Sequence, residues 1–238
     1  MDLQLAGRRA LVTGSSGGIG AAVAGMPAAE GCDVLAHGRN ADAAAEVARR
    51  AAAHGVRAEV VLGDLGEPDG AARVAAVARD SGVHLLVNNA GPFAEHDWDG
   101  VRPADRQRAF EGNVFSAART TQALLPALRA HGWGRVVDIG SRAVRTPLPN
   151  MVECSAAKAA VVNMTTTLAR HLAGTGVTAN RVSPGVIETP STRRMFEERG
   201  EPAAEAAARY APNPVGRLGR AEDIAGAVLY LASPSPTT

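Results

Sequence analysis

Short segments rich in β-branched and aliphatic residues alternate with alanine-rich segments along almost the whole chain. Strands separated by helices form parallel sheets that are covered on both faces, and right-handed crossovers make a doubly wound sheet the natural topology. The pattern predicts one α/β domain over residues 1–238. The segments with strand character lie at residues 10–12, 33–36, 58–62, 84–87, 135–139 and 177–182.

The composition narrows the classes of partner. The 238 residues suffice for one large domain, and 46% hydrophobic content argues against disorder. A formal net charge of +1 offers no electrostatic footprint for nucleic acid. No apolar run approaches the roughly 18 residues of a membrane span, and the N-terminus lacks the pattern of a signal peptide. We expect a cytoplasmic protein that binds small molecules, without nucleic-acid or membrane partners.

The two cysteines, Cys32 and Cys154, lie far apart in sequence within apolar or helical patterns. This arrangement predicts free thiols in a reducing compartment rather than a disulfide framework. No metal site is predicted.

A glycine-rich loop follows the first predicted strand and begins a helical segment. Glycines allow a tight turn and a close approach to a pyrophosphate, while the helix N-terminus offers unpaired N–H groups and partial positive charge. The loop therefore predicts the phosphate-binding turn of a dinucleotide-binding Rossmann fold, against the alternative of a mere tight turn. It reads Thr13-Gly14-Ser15-Ser16-Gly17-Gly18-Ile19-Gly20.

The end of the second predicted strand carries Arg39, in the sequence His37-Gly38-Arg39-Asn40. An acidic residue near this point would bind the ribose 2′-hydroxyl of NAD, whereas an arginine suits a 2′-phosphate. Arg39 thus favours NADP(H) over NAD(H), unless it is an ordinary solvated arginine.

In their order and spacing, these motifs resemble the short-chain dehydrogenase/reductase family over nearly the whole chain. Further matches are Asn88 before the Asn89-Ala90-Gly91 turn, Asn113, Ser141 and Lys158. Within the family the chain looks most like bacterial 3-oxoacyl-carrier-protein reductases and polyketide ketoreductases. The cofactor-binding residues that the resemblance implies are Gly14, Ser16, Gly18, Ile19, Gly20, Arg39, Asp64, Leu65, Asn89, Ala90, Gly91, Lys158, Pro184, Gly185, Ile187 and Thr189.

The resemblance also implies catalytic roles for Asn113, Ser141 and Lys158, but the pattern is broken at Cys154. The family has a tyrosine at this position, thirteen residues after the serine and four before the lysine. A tyrosine hydroxyl reaches roughly 6.5 Å from its Cα and a cysteine sulfur less than about 3 Å, so a water is expected to fill the gap. Lys158, the only lysine in the chain, is expected to lower the thiol pKa. Alternatively, Cys154 is a small half-buried hydrophobe.

Other residues are weighed as proton donors. Tyr210 lies in a predicted substrate lid, residues 189–219, whereas Tyr230 lies in an apolar helix where packing is expected. His96 follows the Asn89-Ala90-Gly91 turn and titrates near neutrality, while the other five histidines are expected to be solvated. Pro27 is expected to disturb the helix after the glycine loop and thereby reshape the cofactor cradle.

The chain ends at residue 238, where members of the family continue into a seventh strand. The final edge strand is therefore expected to be missing. The exposed edge is covered by a neighbouring subunit, marks a lost subunit contact, or reflects an abbreviated sequence. We expect a homo-oligomer, either a dimer or a tetramer.

The leading functional hypothesis is an NADP(H)-dependent oxidoreductase that interconverts a ketone, polyketide-like or small-ring, and a secondary alcohol. Lys158 would hold the nicotinamide ribose, Asn113 and Ser141 would organise substrate and water, and Cys154 or a water would replace the phenol. One alternative is a non-redox dehydratase, cyclase or isomerase that uses the thiol with the charges of Arg142 and Lys158. Another is a catalytically inactive nucleotide-binding subunit.

Overall fold

A six-stranded parallel sheet forms the centre of the computed structural model, which describes residues 2–202, 205 and 215–234. The strand order is β3-β2-β1-β4-β5-β6, so the direction of winding reverses between β1 and β4. This order confirms the predicted doubly wound Rossmann fold. The strands are β1 (Arg9–Val12), β2 (Asp33–Gly38), β3 (Ala58–Leu62), β4 (Leu85–Asn88), β5 (Gly134–Ile139) and β6 (Val177–Val182).

Helices cover both faces of the sheet, which explains why β1, β4 and β5 are almost continuously buried. Successive residues of β1 point to opposite faces: Val12 packs with Val23 and Val228, and Leu11 packs with Val74. The helices are α1 (Gly18–Ala29), α2 (Ala41–Ala52), α3 (Pro68–Asp80), α4 (Pro103–Phe110), α5 (Ser116–Ala130), α6 (Val152–His171), α7 (Pro190–Glu198) and α8 (Ala221–Ala232).

Within the described residues, the large sheet ends at β6 on one side and β3 on the other. A separate two-stranded parallel sheet pairs β7 (Ile187–Glu188) with β8 (Gly219–Arg220). No helix in the described part of the chain is long and apolar enough to cross a membrane.

Pro27 lies in the last turn of α1, which continues through it to Ala29. The Pro27 carbonyl oxygen accepts a hydrogen bond from the Cys32 amide at 2.9 Å, so the proline takes part in the turn that leads to β2. Since Pro27 lies at the end of α1 opposite Gly18, it does not interrupt the first helical turn, where the cofactor cradle was expected to be reshaped.

Candidate active site

The glycine loop meets the steric demands of close backbone packing. Gly14 and Gly18 have φ values of +64° and +54°, in the left-handed region that favours glycine. A Cβ on Gly20 would overlap the Gly14 carbonyl oxygen. No side chain caps the N-terminus of α1, and its first turn holds no acidic residue. The turn therefore leaves backbone N–H groups and the positive end of the helix dipole available to an anion.

His37 supports this loop from β2, and the expectation that it is solvated was wrong. Its side chain is only 3% exposed because β2 lies inside the sheet, beside the loop. Its Nδ1 accepts a hydrogen bond from the Gly14 amide at 2.9 Å, and its Nε2 lies 3.0 Å from the Gly63 carbonyl oxygen. Burial lowers the pKa of His37, so the neutral ring is favoured. A histidine within an otherwise apolar strand was the available sequence signal.

Asn89 joins the end of β4 to the glycine loop. Its Nδ2 donates to the carbonyl oxygens of Thr13 at 2.9 Å and Gly14 at 3.1 Å. The Thr13 hydroxyl oxygen in turn accepts from the backbone amides of Asn89 and Ala90, both at 3.0 Å. These bonds hold the loop and the β4 turn together at the point where the winding of the sheet reverses.

Two pockets adjoin at the carboxyl ends of the strands, and each predicted site residue lines at least one of them. We call them the Ser141 pocket, of about 690 Å³, and the Arg39 pocket, of about 750 Å³. The predicted residues in the Ser141 pocket are Gly18, Ile19, Gly20, Asn89, Gly91, Asn113, Ser141, Cys154, Lys158, Pro184, Gly185, Ile187 and Thr189. Those in the Arg39 pocket are Gly14, Ser16, Arg39, Asp64, Leu65, Asn89, Ala90 and Gly91.

Ser141 follows β5 and begins a short 3-10 turn, Arg142–Val144. Its Oγ accepts a hydrogen bond from the Ala143 amide at 3.1 Å. Among the described residues, the hydroxyl has no acceptor for its own proton. Ser141 can therefore donate to an atom bound in the pocket.

Cys154 and Lys158 lie one helical turn apart on α6, and both line the Ser141 pocket. Cys154 is 5% exposed and packs with Ala143, Met151 and Leu148. Burial raises the pKa of its thiol, and Lys158 offsets this only in part. The expectation that the thiol pKa is lowered was therefore wrong, because desolvation of the sulfur outweighs the attraction of the ammonium.

Lys158 is tied to the end of β5. Its Nζ donates to the Ile139 carbonyl oxygen at 2.7 Å, which leaves two N–H groups for other partners. Burial lowers the pKa of this ammonium, while Cys154 and Asp138 raise it. Lys158 is thus held in place by the strand that carries Ser141.

Asp138, which the sequence analysis did not single out, is buried and directly precedes Ile139, the residue whose carbonyl oxygen binds Lys158. Its carboxylate accepts from Asn88 Nδ2 at 2.8 Å and from Thr165 Oγ1 at 2.6 Å. Burial raises the pKa of Asp138, and these hydrogen bonds and Lys158 lower it. A lone acidic residue inside an apolar strand was the signal that could have identified it.

Asn113 lies in a π-helical segment, Glu111–Phe115, that joins α4 to α5. Its Nδ2 donates to the carbonyl oxygens of Ala109 at 2.9 Å and Pro92 at 3.2 Å. Its Oδ1 is buried without a hydrogen-bond partner in the described part of the protein. A Cβ on Gly91 would overlap this oxygen, so the glycine allows the Asn113 amide to pack directly against the backbone.

Of the other weighed proton donors, His96 and Tyr230 do not line the Ser141 pocket. His96 Nδ1 lies 2.5 Å from Oε1 of the buried Glu153, and this pair joins the loop after β4 to α6. Tyr230 is 68% exposed on α8, which corrects the expectation that it packs inside. Tyr210 lies outside the described residues. Within the described chain, no cluster of three or more His, Cys, Asp or Glu residues could hold a metal ion.

The predicted lid, residues 189–219, is described in part and includes α7. Thr192, Met195 and Phe196 of this region line the Ser141 pocket. Arg199 forms an ion pair with Glu95 from the loop after β4, and both line the pocket as well. The sequence analysis missed this pair because its members are separated by 104 residues.

The chain matches known proteins over nearly its full length. The model of the short chain dehydrogenase family matches residues 8–200. A short-chain type dehydrogenase/reductase of Picea abies is 36% identical, covering 96% of this chain and 87% of the relative. A 3-oxoacyl-(acyl-carrier-protein) reductase of Vibrio cholerae is 32% identical, covering 98% and 92%.

A solved structure gives the same result at the level of the fold. The NADP-bound 3-oxoacyl-(acyl-carrier-protein) reductase of Agrobacterium tumefaciens superposes with a TM-score of 0.91 at 35% identity, covering 98% of this chain and 90% of that one. The chain belongs to the short-chain dehydrogenase/reductase family and is an oxidoreductase of that family. These findings confirm the predicted resemblance to bacterial 3-oxoacyl-carrier-protein reductases.

Proposed function

We propose that the protein is an NADP(H)-dependent oxidoreductase that interconverts a ketone and a secondary alcohol with an altered proton relay. The observation that carries this proposal is that Ser141, Cys154 and Lys158 line one pocket together with the N-terminus of α1. This arrangement supports binding of a nucleotide and a carbonyl group side by side, and only the phenol of the family pattern is replaced.

The cradle fits a dinucleotide. The uncapped N-terminus of α1 and the glycines of its loop suit the diphosphate, while Lys158 suits a ribose hydroxyl. At the other end, Arg39 has a 78% exposed side chain with a 3.4 Å contact to Asp64, so its guanidinium is available to a 2′-phosphate. Arg39 and the NADP in the related Agrobacterium structure both support NADP(H) over NAD(H).

When bound, the nicotinamide supplies a hydride to the carbonyl carbon or accepts one in the reverse direction. The Ser141 hydroxyl donates a hydrogen bond to the carbonyl oxygen and fixes the substrate. The Lys158 ammonium, anchored on Ile139, directs its remaining N–H groups to the nicotinamide ribose and to nearby water.

The missing phenol changes how the proton arrives. The Cys154 thiol stays protonated, but its sulfur is too close to the helix to replace a tyrosine hydroxyl. A water in the vacated space delivers the proton to the substrate oxygen and regains a proton from solvent through a chain of further waters, from which Asn113 Oδ1 accepts a hydrogen bond. The raised pKa of Cys154 also deprives the alternative dehydratase, cyclase or isomerase of the thiolate that it would use.

A panel of ketones tests this proposal, with NADPH consumption and alcohol product both measured. Reduction by the parent protein should fall strongly in Lys158→Met and Ser141→Ala, while thermal melting shows that both variants remain folded. Product formation without nicotinamide oxidation would instead establish the non-redox alternative. NADPH binding without turnover of any ketone would establish the inactive nucleotide-binding subunit.

We also propose that α7 closes over bound substrate as part of the predicted lid and that the protein is a cytoplasmic homo-oligomer. The Glu95–Arg199 pair supports the first point because it joins α7 to the opposite side of the pocket. The exposed Phe115 and Tyr230 support an oligomer, and the two free cysteines support a reducing compartment. Light scattering on the purified protein measures the subunit number directly.

A further inference from the structure

Among the residues that the structure describes, three cationic side chains line the Ser141 pocket, and two of them have protein partners. Arg199 is paired with Glu95, and Lys158 donates to the Ile139 carbonyl oxygen. The third, Arg142, makes no hydrogen bond or ion pair with its guanidinium anywhere in the described residues. The pocket therefore contains one guanidinium that has no hydrogen-bond or ion-pair partner in the described part of the protein.

The backbone of Arg142 is firmly positioned next to Ser141. Its amide donates to the Pro184 carbonyl oxygen at 2.9 Å, and its carbonyl oxygen accepts from the Arg145 amide at 2.9 Å. The Arg142 side chain passes beside Gly185, where an added Cβ would lie 3.9 Å from Cδ. The Arg142 backbone is therefore fixed at the end of β5. Its guanidinium has no hydrogen-bond or ion-pair partner among the described residues.

The remaining wall of the pocket is largely apolar, with Phe93, Leu148, Met151 and Met195 among its side chains. Glu95, the one acidic side chain among the described residues of this wall, is already paired with Arg199. A half-buried guanidinium in such surroundings is complemented best by an anion that enters with the ligand. In the part of the chain that the structure describes, the pocket thus combines an apolar surface with the Arg142 guanidinium, which has no partner, and the Lys158 ammonium, which is bonded only to a neutral carbonyl oxygen.

We propose that Arg142 binds the carboxylate of an oxo acid substrate, and of the corresponding hydroxy acid, in the Ser141 pocket. This inference rests on the proposed function and names its substrate class. A guanidinium offers a planar pair of N–H donors that matches the two oxygens of a carboxylate. Since Arg142 adjoins Ser141 in sequence, the carboxylate lies only a few bonds from the carbonyl group, and the apolar part of the substrate packs along Leu148 and Met151.

The test compares matched substrates and matched variants. The substrates are 2-oxo and 4-oxo acids with an aliphatic body, each paired with its uncharged methyl ester. The variants are Arg142→Gln and, as a control, Arg145→Gln. Arg145 is an exposed arginine that directly follows the same 3-10 turn, and its side chain does not line the pocket. The parent should prefer at least one acid over its ester, in kcat/KM with NADPH.

Arg142→Gln should lower kcat/KM for that acid by about 10- to 100-fold, as expected for a lost hydrogen-bonded ion pair, and change the ester by less than about threefold. Arg142→Lys should retain part of the preference because it keeps the charge but loses the planar donor pair. Arg145→Gln should behave as the parent. Equal losses for acid and ester, a loss confined to NADPH affinity, or no preference for any acid in the parent would each overturn the proposal.

Calorimetric titration of the NADPH-saturated protein with the hydroxy acids separates this proposal from the proposed function. Binding that is present in the parent and lost in Arg142→Gln would support the carboxylate site even if no ketone is reduced. Absence of binding in the parent, or equal binding in the variant, would refute the site even if neutral ketones are reduced.

Discussion

Cys154 lies one helical turn before Lys158 on α6, and its thiol remains protonated although the two side chains line the same pocket. Desolvation of the sulfur raises the thiol pKa by more than the positive charge of Lys158 lowers it. Burial also lowers the pKa of Lys158 itself. The residue at the phenol position is therefore a neutral, short side chain. It creates space in the pocket without supplying a reactive anion.

Restoring a phenol at this position should restore a direct proton donor. We expect Cys154→Tyr to raise kcat/KM for ketone reduction by roughly 10²- to 10⁴-fold, the usual range for a positioned general acid. Cys154→Ala should leave the parent rate within about threefold, because a water rather than the thiol delivers the proton. Steady-state kinetics at saturating NADPH measures both variants. A large loss in Cys154→Ala would show that the thiol is itself the donor.

Arg39 should control the choice of cofactor. We expect Arg39→Gln to raise the KM for NADPH by about 10- to 100-fold, because it removes a charged hydrogen bond to the 2′-phosphate, and to leave NADH almost unchanged. Titrations with both coenzymes measure the effect, with Arg49→Gln on the exposed side of α2 as the control. Equal changes for the two coenzymes would contradict a 2′-phosphate contact.

His37 should make stability depend on pH. Burial lowers its pKa from the ordinary value of 6.5, so the folded protein binds this proton more weakly than the unfolded chain does. The stability contributed by the neutral ring is complete above pH 6.5 and is lost as the pH falls below it, toward the lowered pKa. We expect a decrease in melting temperature over this window.

The matched variant is His37→Asn, which can still accept from the Gly14 amide but cannot titrate. Its melting temperature should fall less than that of the parent when the pH decreases from about 7.5 to 5.5. Melting curves recorded at several pH values give the comparison. Parallel curves for the two proteins would show that His37 does not carry the effect.

Asp138 should set the pH range in which Lys158 stays charged. Asp138→Asn removes a negative charge that raises the pKa of this lysine, so the decline of kcat at high pH should move to lower pH. The asparagine can be accommodated because the Thr165 hydroxyl can change its partners. Its proton can go to the Val161 carbonyl oxygen, 2.8 Å away, and its oxygen can then accept a hydrogen bond from the new amide. An unchanged pH profile in a folded variant would mean that Asp138 is structural only.

The predicted site residues, most of which were implied by the resemblance to the family, line two adjoining pockets. The element order and the glycine loop could be derived from the sequence itself. These features depend on local periodicity and on the rule that the carboxyl ends of parallel strands meet at one edge. The strand bounds were accurate to within two residues, and 58–62 and 177–182 were identical to β3 and β6. The Lys158 position followed from its spacing to Ser141 and Cys154.

The tertiary structure alone decided how these side chains are ionised and paired. The buried ring of His37 depends on segments distant in sequence, and the neutral thiol of Cys154 depends on the packing of α6 against the turn after β5, and no local motif records either. The Glu95–Arg199 pair depends on which charges the folded chain brings together, and so does the lack of a partner for the Arg142 guanidinium among the described residues. Sequence patterns thus determined where the pocket lies, whereas long-range packing determined its charge.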